Sequence, residues 1–208
     1  MPRAAPLALA FALSLSAAFA QGGGPAKPAD AAGDPAKAEP KADAKPSPRP
    51  STLDDLFARL AAAKDEAEAN GIANLIERRW SRSGSDTADL LMSRATEAIH
   101  KKEYPVAVEL LDRVLALEPQ WAEAWNRRAT AFYLLEDPTS AMADVRQVIA
   151  REPRHFGAWA GLGHMYMASN DRARALEAYR KALALHPHLG KLKEVVDRLA
   201  PEIDGRDL

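Results

Sequence analysis

The sequence lacks cysteine altogether, which excludes disulfide frameworks, thiolate metal sites and thiol nucleophiles. It also lacks a charge bias, because 28 Lys and Arg stand against 29 Asp and Glu. Such a balance gives no general attraction to nucleic acid or to an anionic membrane surface. No Gly-rich phosphate loop and no nucleophile motif occurs either. Composition and motifs therefore give no support to an enzyme, a cofactor-binding protein or a nucleic-acid-binding protein.

The five histidines are also poorly placed for metal binding. Only His186 and His188 are close in sequence, and they straddle a predicted helix end. We expect this pair to be solvated rather than metal-bound, because no other ligand type is spaced to complete a site. We predict no catalytic residue, no cofactor and no metal.

Residues 1–20 have the pattern of a secretory signal peptide. A single cation, Arg3, precedes a run of Ala, Leu and Phe that ends at Ala18 and Ala20 before three glycines. These small residues favour cleavage after Ala20, which predicts a periplasmic or secreted protein with no inserted segment after cleavage. The alternative is an uncleaved membrane anchor, since the apolar run is only slightly short for a spanning helix. The Ala- and Arg-rich composition suggests a bacterial source.

Residues 21–51 form a linker without aromatic or β-branched side chains. Such a segment cannot bury enough apolar surface to offset the entropy of ordering, so it is predicted to be disordered. Its acids nearly balance its bases, and its prolines favour an extended spacer rather than a basic binding arm.

The chain from residue 52 onward has helical periodicity throughout. A capping pattern at Thr52 and Asp55 starts a helix that is predicted to continue to about Ala69. Asn70 and Gly71 are predicted to break it before a second helix. Further on, Pro119, Pro153 and Pro187 lie 34 residues apart, and each closes a similar apolar phrase. A fixed period of this length indicates stacked helical hairpins.

The residues in these copies resemble the tetratricopeptide repeat (TPR), whose 34-residue signature places a large residue, a Leu, a small residue and an aromatic in the first helix. The third copy matches at Trp159, Leu162, Gly163, Tyr166, Ala175, Tyr179, Ala182 and Pro187. The second has Trp125, Arg128, Ala129, Phe132, Ala141, Val145, Val148 and Pro153, and the first has Leu91, Arg94, Ala95, Ala98, Ala107, Leu111, Val114 and Pro119. A degenerate copy upstream keeps Phe57, Leu60, Ala61, Ala73 and Trp80, with Ser85 in place of the closing proline.

The resemblance implies an all-α solenoid of helical hairpins over residues 52–200. Its units are a degenerate repeat (54–87), three clear repeats (88–121, 122–155 and 156–189), a capping helix (189–200) and a flexible tail (201–208). Ala95, Ala129 and Gly163 are expected to be small because two helices cross there, and Trp125 and Trp159 are expected in the core.

Arg94 and Arg128 depart from the signature, which usually has Leu at their position. One interpretation is a side chain that covers apolar surface or pairs with a neighbouring acid. The other is a short ladder of cations for an acidic ligand, and the sequence favours the first.

The resemblance implies a concave groove lined by the first helix of each repeat. By the same frame its lining includes Met92, Thr96, Ile99, His100, Asn126, Thr130, Tyr133, Leu134, His164 and Met167. This largely neutral, mildly apolar set fits a peptide or helix of a protein partner better than an acidic tail. We expect no carboxylate clamp, because only Asn126 is suitably placed for one. The predicted function is a non-catalytic interaction scaffold of the bacterial envelope, and the alternative is a structural subunit that self-associates or docks through its end faces.

Overall fold

The computed structural model describes residues 52–205, and this part of the chain consists of helices and turns without a strand. The predicted signal peptide and linker, and the last three residues of the predicted tail, lie outside the described residues. The all-α prediction is confirmed. The helices are α1 (Leu53–Ala61), α2 (Glu66–Trp80), α3 (Asp86–His100), α4 (Tyr104–Leu117), α5 (Ala122–Leu134), α6 (Pro138–Arg151), α7 (Phe156–Ala168), α8 (Arg172–Leu185) and α9 (Gly190–Asp204). None of these helices is long and apolar enough to span a membrane.

Three hairpins, α3–α4, α5–α6 and α7–α8, repeat the same turn at intervals of 34 residues. Lys102, Glu136 and Asn170 each adopt a positive φ close to 60° just after the first helix of the hairpin. In the first hairpin the following N–H, that of Glu103, donates to the Ala98 carbonyl at 2.9 Å. This pattern is a Schellman motif, which satisfies the last helical carbonyls and reverses the chain. The period in the sequence thus corresponds to a repeated backbone conformation.

The closing prolines are tied to the next hairpin by tryptophan. The indole N–H of Trp125 donates to the Pro119 carbonyl at 2.9 Å, and that of Trp159 donates to the Pro153 carbonyl at 2.9 Å. Each ring is half-buried between helices and packs against core residues of neighbouring helices. The tryptophans therefore stabilise the stacking of one copy on the next.

Arg128 takes the first of the two roles considered for it. Its guanidinium donates to both carboxylate oxygens of Asp144, at 2.8 and 2.9 Å, and to Asp112 at 2.6 Å. The same group lies 4.8 Å from the centre of the Trp125 ring. Asp144 belongs to the same hairpin and Asp112 to the preceding one, so Arg128 links two copies rather than facing a ligand. Arg94 is exposed, because the position of Asp144 is occupied by Leu110 in the first copy.

The first hairpin differs from the prediction in its boundaries. The chain breaks at residues 62–65, and α2 runs without interruption through Asn70 and Gly71. Asp65 caps α2 by accepting the Glu68 N–H at 2.8 Å, a better start signal than the Asn-Gly pair. The predicted capping box at Thr52 and Asp55 is present.

The α1–α2 hairpin lies along the turns that connect successive hairpins. Its apolar residues, including Leu56, Leu60 and Ile76, form a cluster with Phe156 at the start of α7, and Leu185 of α8 packs against this cluster. Trp80 stacks on His155 with ring centroids 4.3 Å apart, and its carbonyl accepts the Trp121 indole N–H at 2.6 Å. The hairpin therefore spans the turns before α5, α7 and α9.

At the other end of the chain, α9 packs on α8 through Leu192 and Leu199. This helix ends at Asp204, four residues beyond the predicted boundary at 200, and ion pairs from Arg180 to Asp204 and from Arg172 to Glu202 hold its last turn.

The expectation that His186 and His188 are solvated is wrong. His186 is 1% exposed against Phe156, and His188 Nε2 lies 2.9 Å from the Ala63 carbonyl. The α1–α2 hairpin covers both.

Candidate functional site

The first helices of the three hairpins, α3, α5 and α7, carry the predicted groove residues. An open depression between α3 and α5 is lined by Met92, Thr96 and His100 of α3 and by Arg127 of α5, and its rim includes Ser81, Asp89, Ser93 and Glu97. Three predicted residues are therefore brought together in one concavity. Arg127 was missed, although it lies on the same helix as Asn126 and one position before Arg128.

A second group of predicted residues meets further along the groove. The hydroxyl of Tyr179 lies 2.8 Å from His164 Nδ1, and Tyr133 is close enough to influence Tyr179 electrostatically. Burial, with a smaller effect from Tyr133, raises the pKa of Tyr179 to about 12. Burial also lowers the pKa of His164. This part of the groove is consequently uncharged at neutral pH and offers hydroxyl and imidazole groups between half-buried apolar surfaces.

The polar side chains of α3 and α5 are largely oriented by their own helices. The Thr96 hydroxyl donates to the Met92 carbonyl at 2.9 Å, and the Thr130 hydroxyl donates to the Asn126 carbonyl at 3.0 Å. Asn126 itself donates from Nδ2 to Glu123 at 3.0 Å. These bonds fix the side chains and leave the threonine methyl groups to face the groove.

Two predicted residues contribute less than the frame suggested. Ile99 is only 7% exposed and packs with Ala98, Ala107 and Ala131 in the core between the first two hairpins. Leu134 is 39% exposed in the last turn of α5 and does not line the depression. Met167 is half-buried against the cluster formed by α8 and α9.

Glu123 is the centre of a buried polar network at the amino-terminal end of α5. Arg127 Nε lies 2.7 Å from Glu123 Oε1, and His155 Nε2 lies 3.1 Å from Oε2. His155 Nδ1 accepts the Ala158 N–H at 3.0 Å, so the ring proton is on Nε2 and is donated to Glu123. Burial acts to raise the pKa of the Glu123 carboxyl, but Arg127, His155 and Asn126 outweigh it and the net pKa is lowered.

Trp80 of α2 stacks on the His155 ring and covers this network. The amino-terminal end of the groove is thus occupied by the chain's own α1–α2 hairpin. The depression beside α3 and the region around Tyr133, His164 and Met167 are not part of that packing. The open groove is therefore shorter than the three repeats that form it. In residues 52–205 no cluster of three or more His, Asp or Glu could hold a metal ion.

Comparison with known proteins agrees with the hairpin geometry. The family model described as Tetratricopeptide repeat matches residues 156–189. A TPR repeat-containing protein of Rhizobium etli is 39% identical over 153 residues, which cover 74% of this chain and 75% of that protein. The chain therefore belongs to the tetratricopeptide repeat family. The small glutamine-rich tetratricopeptide repeat-containing protein 2 of Mycosarcoma maydis is 29% identical over 107 residues, which cover 51% of this chain and 30% of that protein.

Solved structures support the same fold. The first TPR domain of Spaghetti (RPAP3), bound to an HSP90 peptide, superposes with a TM-score of 0.54 at 18% identity and covers 58% of this chain and 95% of that one. MamA superposes with a TM-score of 0.52 at 19% identity and covers 74% of this chain and 81% of that one. At these identities the likeness concerns the fold.

Proposed function

We propose that this protein is a non-catalytic interaction module whose groove binds a peptide or helix of a protein partner. The observation that carries the proposal is the concavity on α3 and α5, where Met92, Thr96 and His100 face Arg127 across open space. An adaptable Met beside fixed threonines and a cation suits a partly apolar peptide that bears some polar or acidic groups. The RPAP3 domain, which has the same fold, is described as bound to a peptide.

The partner is not an acidic carboxyl-terminal tail of the kind held by a carboxylate clamp. Asn126, the one residue suited to a clamp, already donates to Glu123. Arg127 is also paired with Glu123, whose buried negative charge would repel an incoming carboxylate. A synthetic acidic carboxyl-terminal chaperone peptide should therefore show no saturable binding in calorimetry. Binding that Asn126→Ala abolishes would contradict this part of the proposal.

The protein acts in the bacterial cell envelope. Support comes from the predicted signal peptide in residues 1–20 and from the likeness to a bacterial TPR protein of Rhizobium etli. Mass spectrometry of the mature protein, expressed in a bacterium and recovered by osmotic shock, should give an amino terminus at Gln21. Recovery in the cytoplasm with residues 1–20 retained would refute export, and retention in membranes would favour the anchor.

The groove is tested by crosslinking capture from the native envelope with the full mature protein as bait. Tyr133→Ala combined with Met167→Ala should reduce the yield of the captured partner at least tenfold, because both side chains face the groove away from the α1–α2 hairpin. Leu135→Ala, which shortens an apolar side chain 38% exposed at the end of α5, is the matched control. Circular dichroism melts check that both variants fold. Undiminished capture by the folded double variant would exclude groove binding.

A further inference from the structure

The end of the stack formed by α3 and α4 carries the most exposed large apolar side chains in the described part of the chain. Leu90 is 54% exposed, Leu117 is 51% exposed and Val106 is 47% exposed. Val106, Leu110 and Leu117 are spaced by four and seven residues, so they form one stripe along α4. Leu90 lies on the helix that pairs with α4.

The internal repeat shows what these positions do in the other copies. The residues 34 positions after Leu90 and 68 positions after it are Ala124 and Ala158, which are 0% and 1% exposed and pack against the preceding hairpin. The equivalent of Leu117 is Arg151, which donates to the Pro119 carbonyl of the preceding copy at 2.8 Å. The same residue types in the first copy therefore lie on an unoccupied stacking surface.

Two other parts of the described chain do not serve as occupants of this surface. The α1–α2 hairpin is packed against Phe156, Leu185 and His155, along the connecting turns. The opposite end of the stack is closed by α9, whose outward residues Lys191, Lys193, Glu194, Asp197 and Arg198 are exposed and charged. A second molecule consequently cannot add head-to-tail through two apolar ends.

The charges on α4 are arranged to complement a second copy of α4 itself. Glu109 and Arg113 are exposed, lie between Val106 and Leu117, and form no ion pair within residues 52–205. The midpoint between Glu109 and Arg113 nearly coincides with the midpoint between Val106 and Leu117. In an antiparallel pair of α4 helices, Glu109 of one copy therefore faces Arg113 of the other, while Val106 faces Leu117.

We propose that this end of the stack is an interface between two copies of the chain, with α4 packed antiparallel to α4 about a two-fold axis. An isologous contact of this kind closes on itself and yields a dimer rather than a filament. Its apolar centre and charged margin match the usual composition of an interface. The groove on α3, α5 and α7 remains open in such a dimer, so each dimer presents two partner sites.

The first test is sedimentation equilibrium of the full mature protein between about 1 and 200 μM. We expect a monomer–dimer equilibrium that Leu90→Asp and Leu117→Asp each weaken at least tenfold, because two copies of each leucine are buried per dimer. Leu135→Asp is the matched control and should leave the dimer intact. A monomer at every concentration, or a dimer that tolerates both end variants, would overturn the proposal.

Charge exchange tests the orientation. Glu109→Arg should weaken the dimer by placing two pairs of cations opposite each other, and adding Arg113→Glu should restore it. Because the chain has no cysteine, Val106→Cys and Leu117→Cys variants can also be mixed and oxidised. The mixed disulfide dimer should form at least tenfold faster than either homodimer. Failure of the charge rescue, or equal crosslinking of all three pairs, would refute the antiparallel arrangement.

These results are separable from the groove proposal. End-face variants should capture the groove partner unchanged per monomer, and the Tyr133 and Met167 variants should still dimerise. A loss of dimerisation in the groove variants would count against the end-face interface.

Discussion

Replacing Gly163 by alanine probes the tightest helix crossing in the stack. A Cβ added at Gly163 would lie closer than 3.0 Å to both Cδ1 and Cε1 of Tyr179, whose side chain is 1% exposed. The ring would have to withdraw by about 1 Å to restore an ordinary contact. Overpacking of this kind costs about 1–3 kcal/mol, and weakening the bond between Tyr179 and His164 costs about 1 kcal/mol more. Alanine returns about 1 kcal/mol in helix propensity, which leaves a net loss of about 1–3 kcal/mol.

The other two copies supply the compensating change. Ala95 packs with Leu111 in the first hairpin, and Ala129 packs with Val145 in the second. Leu111 and Val145 occupy the position of Tyr179, so an alanine is tolerated where the facing side chain is aliphatic. Gly163→Ala in a Tyr179→Leu background should therefore stabilise the protein by about 1 kcal/mol, the intrinsic helix-propensity gain.

Urea unfolding followed by circular dichroism and tryptophan fluorescence measures all four proteins of this double-mutant cycle. We expect a coupling free energy of about 2–4 kcal/mol between the two sites. In thermal melts, each kcal/mol corresponds to roughly 2–4 °C for a domain of this size. If Gly163→Ala changed the unfolding free energy equally in both backgrounds, the steric explanation for this glycine would be wrong.

Three further changes test other parts of the structure by urea unfolding. Arg128→Leu should cost about 3 kcal/mol because it leaves Asp144, 4% exposed, without its partner, and adding Asp144→Ala should recover most of the loss. Lys102→Gly should stabilise by about 1 kcal/mol because φ is 62° there, whereas Lys101→Gly, at φ −77°, should not. Burial, more than the nearby His188, lowers the pKa of His186 below 6.5. The unfolded chain therefore gains this proton first as pH falls, and stability should decline below about pH 6.5. His186→Gln should reduce that decline and His100→Gln should not; an equal decline in all three proteins would contradict the assignment.

The three complete hairpins could be predicted from the sequence because each of their features recurs. The prolines at 119, 153 and 187 fixed the frame, and the small residues and tryptophans then fell on the crossing and stacking positions. Boundaries within these copies were reliable for the same reason, since a proline or an aspartate starts each second helix at a periodic position. The positive φ of Lys102 and Glu136 was not predictable, because lysine and glutamate give no local signal for that conformation.

The candidate site was predicted in part. Met92, Thr96 and His100 do line one depression, because the frame identifies which side of α3 faces the groove. Arg127 and the burial of Ile99 escaped prediction, since a frame gives direction but not the depth to which each side chain is packed. The role of Arg128 was settled by acids at 112 and 144, which are 16 residues away on either side and have no pattern that connects them.

The placement of the α1–α2 hairpin follows from interactions that no periodic pattern encodes. Trp80 satisfies the frame of a fourth repeat, yet its ring stacks on His155 and its carbonyl accepts from Trp121, both at connecting turns. His155 is itself held by Glu123, so the hairpin docks on a buried polar network that belongs to the groove wall. A chain that uses its first hairpin in this way shortens its own groove and leaves the α3–α4 end of the stack uncovered. The same displacement therefore accounts both for the limited extent of the open groove and for the exposure of Leu90 and Leu117.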